Sequence, residues 1–143
     1  QFDKVEMFAF CTPESSWDEH ERILAIEEEI MGNLEIPYRV VNIAAWDLGA
    51  SAAKKYDVEG WMPGQGQYRE LTSTSNTTDF QARRLDVRYR PEGGAGPRHV
   101  YTLNGTAVAV GRTIIAIVEN GQQPPRAARC AGFAASTSPN TPA

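Results

Sequence analysis

The chain has little of what builds a disulfide scaffold or a metal cluster. It contains 2 cysteines and 2 histidines in 143 residues, and Cys11 and Cys130 lie far apart along the chain. We therefore expect neither a structural disulfide nor a cluster of soft metal ligands, because both need cysteines that are paired or closely spaced. The same cysteine usage favours the reducing cytoplasm as the location of the protein.

The chain also lacks an excess of positive charge and a long apolar run. Its formal net charge is −4, so no overall field attracts nucleic acid or an anionic membrane, and any polyanion must be held locally. No apolar stretch approaches the roughly 20 residues that a membrane-spanning helix needs, and no membrane partner is expected. The length suits one domain, and 41% hydrophobic with 22% charged residues is typical of a globular protein.

The first ten residues alternate in polarity with a period of two, which predicts a strand. We expect one face of this strand to belong to the core, and it consists of Val5, Met7 and Ala9. The other face mixes aromatic and charged side chains, namely Phe2, Lys4, Glu6 and Phe8. This second face is either the floor of a polar ligand site or a solvent face with a weak ion pair between Lys4 and Glu6.

A helix follows, because apolar residues recur at helical spacing over residues 17–34. Ser16 and Glu19 have the spacing of a capping box at its start, and Gly32-Asn33 supplies a stop. The rest of the chain is predicted from composition and turn signals. It comprises strands at 38–44 and 57–62, a short helix within 44–56, a helix from 79 capped by Thr77 or Thr78, a hairpin loop at 91–97, and a disordered tail at 124–143.

Several charged or polar groups have solvent exposure as their simplest interpretation. The acidic run from Glu27 to Glu29 is read as part of the solvated helix face, and His20 is read as a surface residue. A basic cluster is either a solvated face or an anion-facing surface, and it consists of Arg83, Arg84, Arg88, Arg90 and Arg98.

The segment Tyr68–Ser75 is extended by composition but crowded with hydroxyl groups. Strands rich in hydroxyl groups bury poorly unless something forms hydrogen bonds with them. Glu70 is a candidate oxygen ligand for a hard cation such as Mg²⁺, which uses one or two protein oxygens together with substrate phosphates. Strict alternation puts Glu70 and Ser73 on opposite faces, so a metal shared between them requires a bulge.

The apolar segment Ala107–Val118 has Arg112 in its middle. We expect this segment to be buried, and a buried guanidinium costs several kcal/mol, in rough terms, unless an anion meets it. Two partners remain open from the residues alone. One is a distant Asp or Glu of the same chain, and the other is a bound phosphate, whose geometry the guanidinium fits well.

Several segments together resemble the C-terminal half of the catalytic domain of bacterial seryl-tRNA synthetase, a class II aminoacyl-tRNA synthetase. The resemblance runs from residue 1 to about 123 and is carried by QFDKVEMFAF, YREL, SNTTDFQARR and TLNGTAVAVGRTIIAIVEN. It implies an α+β fold with an antiparallel sheet flanked by helices. It also implies ATP-dependent activation of L-serine to seryl-adenylate, followed by transfer of the seryl group to tRNA(Ser).

The resemblance implies a role for nine residues. Phe2 matches the aromatic residue that stacks on adenine, and Arg112 matches the motif 3 arginine that binds the γ-phosphate. The positions that match residues binding ATP and its Mg²⁺ are Glu70, Leu71, Thr72 and Ser73, with Glu70 and Ser73 as the metal ligands and Glu70 and Arg112 as the catalytic pair. The positions that match serine contacts are Glu6, Thr106 and Asn104.

The match lacks motif 1, which forms the dimer interface in intact relatives, the first half of motif 2, and the tRNA-binding arm. We therefore expect a catalytic-core fragment that is inactive as an isolated chain. Two alternatives stay open. One is a non-catalytic relic or interaction module that retains the fold, and the other is a synthetase-like ligase that charges a carrier protein.

Overall fold

The architecture is an antiparallel sheet with helices packed against it, as the computed structural model shows for residues 2–94 and 96–123. The elements in chain order are β1 (Lys4–Cys11), α1 (Ser16–Asn33), β2 (Tyr38–Asn42), a 3₁₀ turn (Ala45–Asp47), β3 (Lys54–Met62), β4 (Gln67–Asn76), α2 (Phe80–Leu85), β5 (Arg88–Tyr89), β6 (Arg98–His99), β7 (Tyr101–Ala109) and α3 (Val110–Asn120). The predicted tail at 124–143 lies outside the described residues.

The main sheet has five strands in the order β1-β7-β4-β3-β2, and each neighbouring pair is antiparallel. Its central feature is that β7, late in the chain, lies between β1 and β4. Residues near position 5 therefore sit beside residues near position 105. The strands β5 and β6 form a separate two-stranded ladder, which confirms the predicted hairpin around the 91–97 loop.

The hydrophobic core lies where α1 and α3 pack on the sheet. Its buried members come from every layer of the fold and are Leu24, Met31, Ile36, Val58, Met62, Leu71 and Ala116. Burying a side chain of this size contributes roughly 1.5–3 kcal/mol. The predicted apolar stripe of α1 is thus confirmed for Leu24 and Met31, although Trp17 at its start remains 48% exposed.

A bulge interrupts the pairing of β4 with β3. Thr72 pairs with Val58 and Glu70 pairs with Glu59, so Leu71 is an extra residue on β4. An extra residue reverses the alternation beyond it. The bulge required for Glu70 and Ser73 to share a face therefore exists, and it lies between them.

Three local predictions were wrong, two of them because contacts with residues distant in the chain decide the conformation. The strand β3 begins at Lys54, inside the segment predicted as a short helix, since Lys54 pairs with Asn76 of β4. Helix α1 begins at Ser16 as predicted, but without a capping box, because the Ser16 hydroxyl donates to the carbonyl of Pro13. Helix α2 has Asp79 at its N-cap, and the Thr77 hydroxyl instead donates to the carbonyl of Thr102.

The predicted solvent exposure of four side chains was also wrong. Two are more exposed than expected, and two are more buried. Val5 is 55% exposed, because β1 is an edge strand whose register shifts between Val5 and Glu6. His20 and Glu27 are both fully buried, since α1 turns them towards the sheet. Arg112 is exposed on α3 rather than buried.

Within residues 2–94 and 96–123, the longest helix is too polar to cross a membrane, and none of the others has the length and apolar character to do so.

Candidate functional site

A cavity of about 510 Å³ opens between β1, β4, β7 and the start of α3. Its lining comes from segments that are far apart in the chain and consists of Phe2, Lys4, Glu70, Leu71, Thr72, Ser73, Thr106, Ala109, Gly111, Arg112 and Ile115. The cavity therefore brings together most of the residues singled out from the sequence. Asn104 and Glu6 are absent from the lining, but both are hydrogen-bonded into its polar wall.

Glu6 is the centre of a polar cluster at this wall. The Asn104 amide donates to Oε1 at 3.1 Å, and the Thr106 hydroxyl donates to Oε2 at 3.0 Å. The ammonium group of Lys4 lies 3.0 Å from Oε2. Partial burial alone would raise the pKa of Glu6, but the hydrogen bonds from Lys4, Asn104 and Thr106 together hold it below its usual value. Glu6 is therefore a carboxylate at neutral pH.

The register of β1 against β7 creates this cluster. Glu6 pairs with Thr106, and Phe8 pairs with Asn104. Residues that alternate along β7 share a face, so Asn104 and Thr106 point to the same side. The shift between Val5 and Glu6 is what brings Glu6 opposite Thr106. The pairing of β1 with β7 therefore brings Asn104 and Thr106 next to Glu6, and these three residues are the predicted serine contacts.

The β4 bulge places Glu70 and Ser73 on the lining of one cavity. Each offers a side-chain oxygen, which suits a hard cation. No group of three or more His, Cys, Asp or Glu side chains that could hold a metal occurs in the described part of the chain. The pair therefore fits a cation that takes most of its ligands from a phosphate or from water, as Mg²⁺ does.

Arg112 reaches across the cavity from the first turn of α3 to β4. Its Nη1 donates to the backbone carbonyl of Glu70 at 2.7 Å. No carboxylate of the described residues pairs with Arg112, and the bound phosphate stays a prediction. The other guanidinium N–H groups form no hydrogen bond within the described residues, and the charge remains available to an anion in the cavity.

Phe2 and Lys4 complete the cavity at the start of the chain. Phe2 is 72% exposed and lines the cavity. The sequence left two interpretations of the strand face that carries Lys4 and Glu6, namely the floor of a polar ligand site or a solvent face with a weak ion pair. The structure favours the ligand site, because the Lys4–Glu6 pair lies at the cavity wall.

Sequence reasoning missed three lining residues, Gly111, Ile115 and Ala109. Gly111 and Ile115 belong to the apolar helix that was expected to be buried, yet Ile115 is 48% exposed. A signal was available, since Arg112 in the same segment already indicated contact with a polar site. The apolar composition of the segment nevertheless led to the prediction that the whole segment is buried.

The basic cluster does not line the cavity. Arg83 pairs with Asp79, Arg88 with Asp86, and Arg98 with Glu14, all at exposed positions. The guanidinium of Arg84 stacks on Phe80, 3.6 Å from the ring centroid. These contacts favour a solvated face over an anion-binding surface.

Known proteins resemble this chain in sequence and in fold. Residues 1–121 match the family described as the tRNA synthetase class II core domain (G, H, P, S and T). The chain is 68% identical over 123 residues to a protein of Rubrobacter xylanophilus named serine–tRNA ligase, and 60% identical over 123 residues to its namesake in Thermobifida fusca. In each case the match covers 86% of this chain and 29% of the relative.

A solved structure agrees with the sequence comparison. The crystal structure of seryl-tRNA synthetase from Pyrococcus horikoshii complexed with ATP superimposes with a TM-score of 0.83 at 58% identity, covering 86% of this chain and 28% of that one. The resemblance to seryl-tRNA synthetases and the expected antiparallel α+β fold are thereby confirmed. The chain spans less than a third of the length of these relatives. It belongs to the class II tRNA synthetase core family.

Proposed function

We propose that the chain is part of a serine–tRNA ligase and carries the adenine, metal and serine contacts of its active site. The observation that carries this proposal is that one cavity is lined by residues from distant parts of the chain, namely Phe2, Glu70, Ser73, Thr106 and Arg112. The reaction is ATP-dependent activation of L-serine to seryl-adenylate, followed by transfer to tRNA(Ser). The names of the relatives and the ATP-bound structural neighbour support this assignment.

The lining suits a reaction that needs positioning and charge stabilisation but no side-chain nucleophile. The serine carboxylate attacks the α-phosphorus in line, and pyrophosphate leaves. Phe2 would stack on the adenine, and Arg112, whose guanidinium contacts the Glu70 backbone, would bind the γ-phosphate. Because Arg112 already contacts β4, its guanidinium is oriented before the nucleotide binds.

Mg²⁺ would be held by Glu70 and Ser73 on the two sides of the bulge. When bound, the cation neutralises phosphate charge and orients the leaving group. The contribution of the chain itself is to fix two side-chain oxygens on β4 and to hold the Arg112 guanidinium beside them through its contact with the Glu70 backbone. Oxygens for the cation and a positive charge for the phosphates would thus be close together.

Serine would be recognised by the Glu6 cluster. The Glu6 carboxylate receives three polar contacts, two at Oε2 and one at Oε1. A carboxylate has about four lone-pair sites, so one position at Oε1 remains for the α-ammonium group of serine. Thr106 would meet the serine hydroxyl with help from Asn104. A site built to hydrogen-bond a hydroxyl group strongly rejects analogues that lack it.

The remaining proposals concern the setting of this site. The intact protein would be a homodimer of the cytoplasm, and the isolated chain would bind Mg²⁺·ATP without catalysing activation. The resemblance associates the α-phosphate with the first half of motif 2, which has no match within residues 1–143. A non-catalytic relic and a ligase for a carrier protein remain as alternative outcomes.

The test is a titration of the isolated chain with Mg²⁺·ATP, followed by serine-dependent ATP–pyrophosphate exchange with and without a separately expressed N-terminal part of a serine–tRNA ligase. We expect binding by the chain alone and exchange only in the mixture. Arg112→Ala should lower the exchange rate by about 100-fold or more, since it removes a charge aimed at the phosphates. The matched control is Arg84→Ala, another exposed helical arginine outside the cavity, which should leave the rate unchanged. Absence of Mg²⁺·ATP binding by the chain would contradict the proposal.

A further inference from the structure

Glu27 is a carboxyl group buried beneath the sheet, away from the cavity. It lies in the middle of α1 and has no solvent exposure. Its Oε2 accepts a hydrogen bond from the Thr72 hydroxyl at 3.1 Å. Its Oε1 has no hydrogen-bond partner among the described residues. A buried, half-satisfied carboxyl group costs stability, so its position calls for an explanation.

The carboxyl group touches two strands at once. On β4 it contacts Thr72 through the hydrogen bond. On β7 it lies against Gly105, where a Cβ atom would sit 2.7 Å from Oε1. The same Cβ atom would sit 2.5 Å from Cγ2 of Ile23. The missing side chain at Gly105 therefore lets α1 and its carboxyl group approach β7 closely.

Both contacted residues are neighbours of the proposed binding groups. Thr72 follows the extra residue of the β4 bulge and precedes Ser73. Gly105 lies between Asn104 and Thr106, which donate to Glu6. Thr72 itself lines the cavity, and Gly105 lies between two residues of the polar cluster, so a contact from α1 at both positions supports the cavity wall from behind. Glu27 therefore lies directly behind the polar wall of the site.

The charges around Glu27 do not explain it as half of an ion pair. The carboxylates of Glu6 on β1 and Asp57 on β3 are the charged groups that act on it, and Asp57 is itself paired with Lys55 at 2.8 Å. Desolvation, with smaller contributions from these two carboxylates, raises the pKa of Glu27 to about 8. At neutral pH the group is thus mostly uncharged. It contacts the strands through a hydrogen bond with Thr72 and by packing against Gly105, not through an ion pair.

We infer that Glu27 is a positioning residue of the proposed active site: by holding Thr72 and filling the space beneath Gly105, it fixes the bulge that carries Glu70 and Ser73. This inference rests on the proposed function. Removal of the carboxyl group frees the bulge to shift, which separates the two proposed metal ligands. Binding that uses the metal should suffer, and binding that uses only Phe2 should not.

The test titrates the full chain with two probes, Mg²⁺·ATP and adenosine, and records thermal unfolding of each variant. Glu27→Ala should weaken Mg²⁺·ATP binding by about tenfold and adenosine binding by less than about twofold, because only the first probe uses the Glu70–Ser73 pair. Glu27→Gln keeps the length and an acceptor for Thr72, so it should retain Mg²⁺·ATP binding within about threefold. Glu29→Ala, an exposed neighbour on the same helix, is the control and should match the wild type.

A second variant, Thr72→Val, keeps the tests decisive where Glu27→Ala does not fold. It removes the hydroxyl that Glu27 holds while keeping the side-chain shape. Thr72→Val should weaken Mg²⁺·ATP binding as Glu27→Ala does, and the double variant should lose no more than either single variant. Amide hydrogen exchange should increase at residues 70–73 in both single variants and stay unchanged in Glu29→Ala.

The outcomes separate the inference from the proposed function. Wild-type chain that does not bind Mg²⁺·ATP refutes the proposed function, and the inference falls with it. Wild-type chain that binds, with Thr72→Val binding equally well, refutes the inference alone. Equal losses for Mg²⁺·ATP and adenosine would also overturn it, since a general loss of structure does not discriminate between the probes.

Discussion

Two glutamates on opposite sides of β7 show how the same side chain takes different roles in one sheet. Glu6 meets Asn104 and Thr106 at the cavity wall, whereas Glu27 meets Gly105, the residue between them, from the helix side. Glu6 has three polar partners and a lowered pKa. Glu27 has one and a pKa raised to about 8. The number of donors, set against desolvation, decides which carboxyl group is charged.

The difference has a functional meaning under the proposed reaction. A charged Glu6 is suited to an ammonium group, while a neutral Glu27 beneath the strands is suited to support without adding negative charge below a site for phosphates. Both groups depend on β7 lying beside β1 and β4. Three experiments test this contrast between the two glutamates, and they are given in order of decreasing expected effect.

The largest effect is expected from the titration of Glu27. Its folded-state pKa of about 8 exceeds the ordinary value of 4.5, so the folded protein holds the proton more tightly than the unfolded chain. The stability that this creates is fully present below the unfolded pKa and is lost as the pH rises through about 8. At about 1.4 kcal/mol per pKa unit, the free energy of unfolding should fall by on the order of 3–5 kcal/mol between acid and alkaline conditions.

Urea unfolding of the wild type and of Glu27→Gln at a series of pH values measures this difference. The variant cannot titrate at this position and should lack the decline between about pH 4.5 and pH 8. His20 provides a pH dependence of stability of the opposite sign in the same protein. Burial lowers its pKa, so its contribution to the free energy of unfolding is lost on acidification rather than in alkali. A wild type whose stability is flat from pH 6 to 9 would show that Glu27 is not held protonated.

The next effect is expected from Gly105→Ala. The added Cβ atom would meet Cγ2 of Ile23 at 2.5 Å and Oε1 of Glu27 at 2.7 Å, so α1 must move away from β7. Overpacking of this kind costs about 1–3 kcal/mol. Thermal unfolding should show a lower midpoint, and Gly32→Ala, where a Cβ atom meets nothing within 4 Å, provides the control. An unchanged midpoint would place α1 farther from β7 than the structure does.

The smallest effect is expected from Glu6→Gln, which acts on the other carboxyl group. The change removes the charge that Lys4 contacts. Because glutamine has one oxygen where glutamate has two, either the Asn104 amide or the Thr106 hydroxyl loses its acceptor. Since the side chain is 17% exposed, we expect a loss of only about 1 kcal/mol in unfolding free energy. The binding effect should be sharper, because serine-dependent exchange in the reconstituted mixture loses the ammonium contact, while Mg²⁺·ATP binding remains.

The sign of the pH dependence also distinguishes the two glutamates. The pKa of Glu6 is lowered, so its contribution to stability is present above the unfolded pKa and is lost as the pH falls through the folded value. Glu27 behaves in the opposite way. Wild type and Glu6→Gln should therefore differ least in stability at acid pH. A difference that grows on acidification would contradict the assigned direction.

Much of the candidate site was predictable from sequence because its residues lie in distinctive segments. Phe2, Glu70, Ser73, Thr106 and Arg112 were singled out, and the structure places all of them on one cavity. The requirement for a bulge between Glu70 and Ser73 followed from the period of a strand alone. The roles assigned to these residues remain predictions.

The errors have a common physical cause, which is that periodicity describes one element at a time. His20 and Glu27 were assigned to solvent because they are polar members of an acidic helix, yet the sheet covers that face. Burial of His20 is compatible with its stacking on Tyr56, with ring centroids 5.2 Å apart. Lys54 was assigned to a helix, but pairing with β4 extends the strand to include it.

The sequence by itself determined the class of fold, the family, most of the cavity residues and the need for a bulge, because each depends on local pattern or on motifs. Only the tertiary structure decided that Arg112 is exposed and contacts the backbone of Glu70, and that Glu27 lies under Thr72 and Gly105. These outcomes depend on which strands become neighbours. In this chain β7 joins β1 to β4, and that pairing of distant segments sets the surroundings of both glutamates.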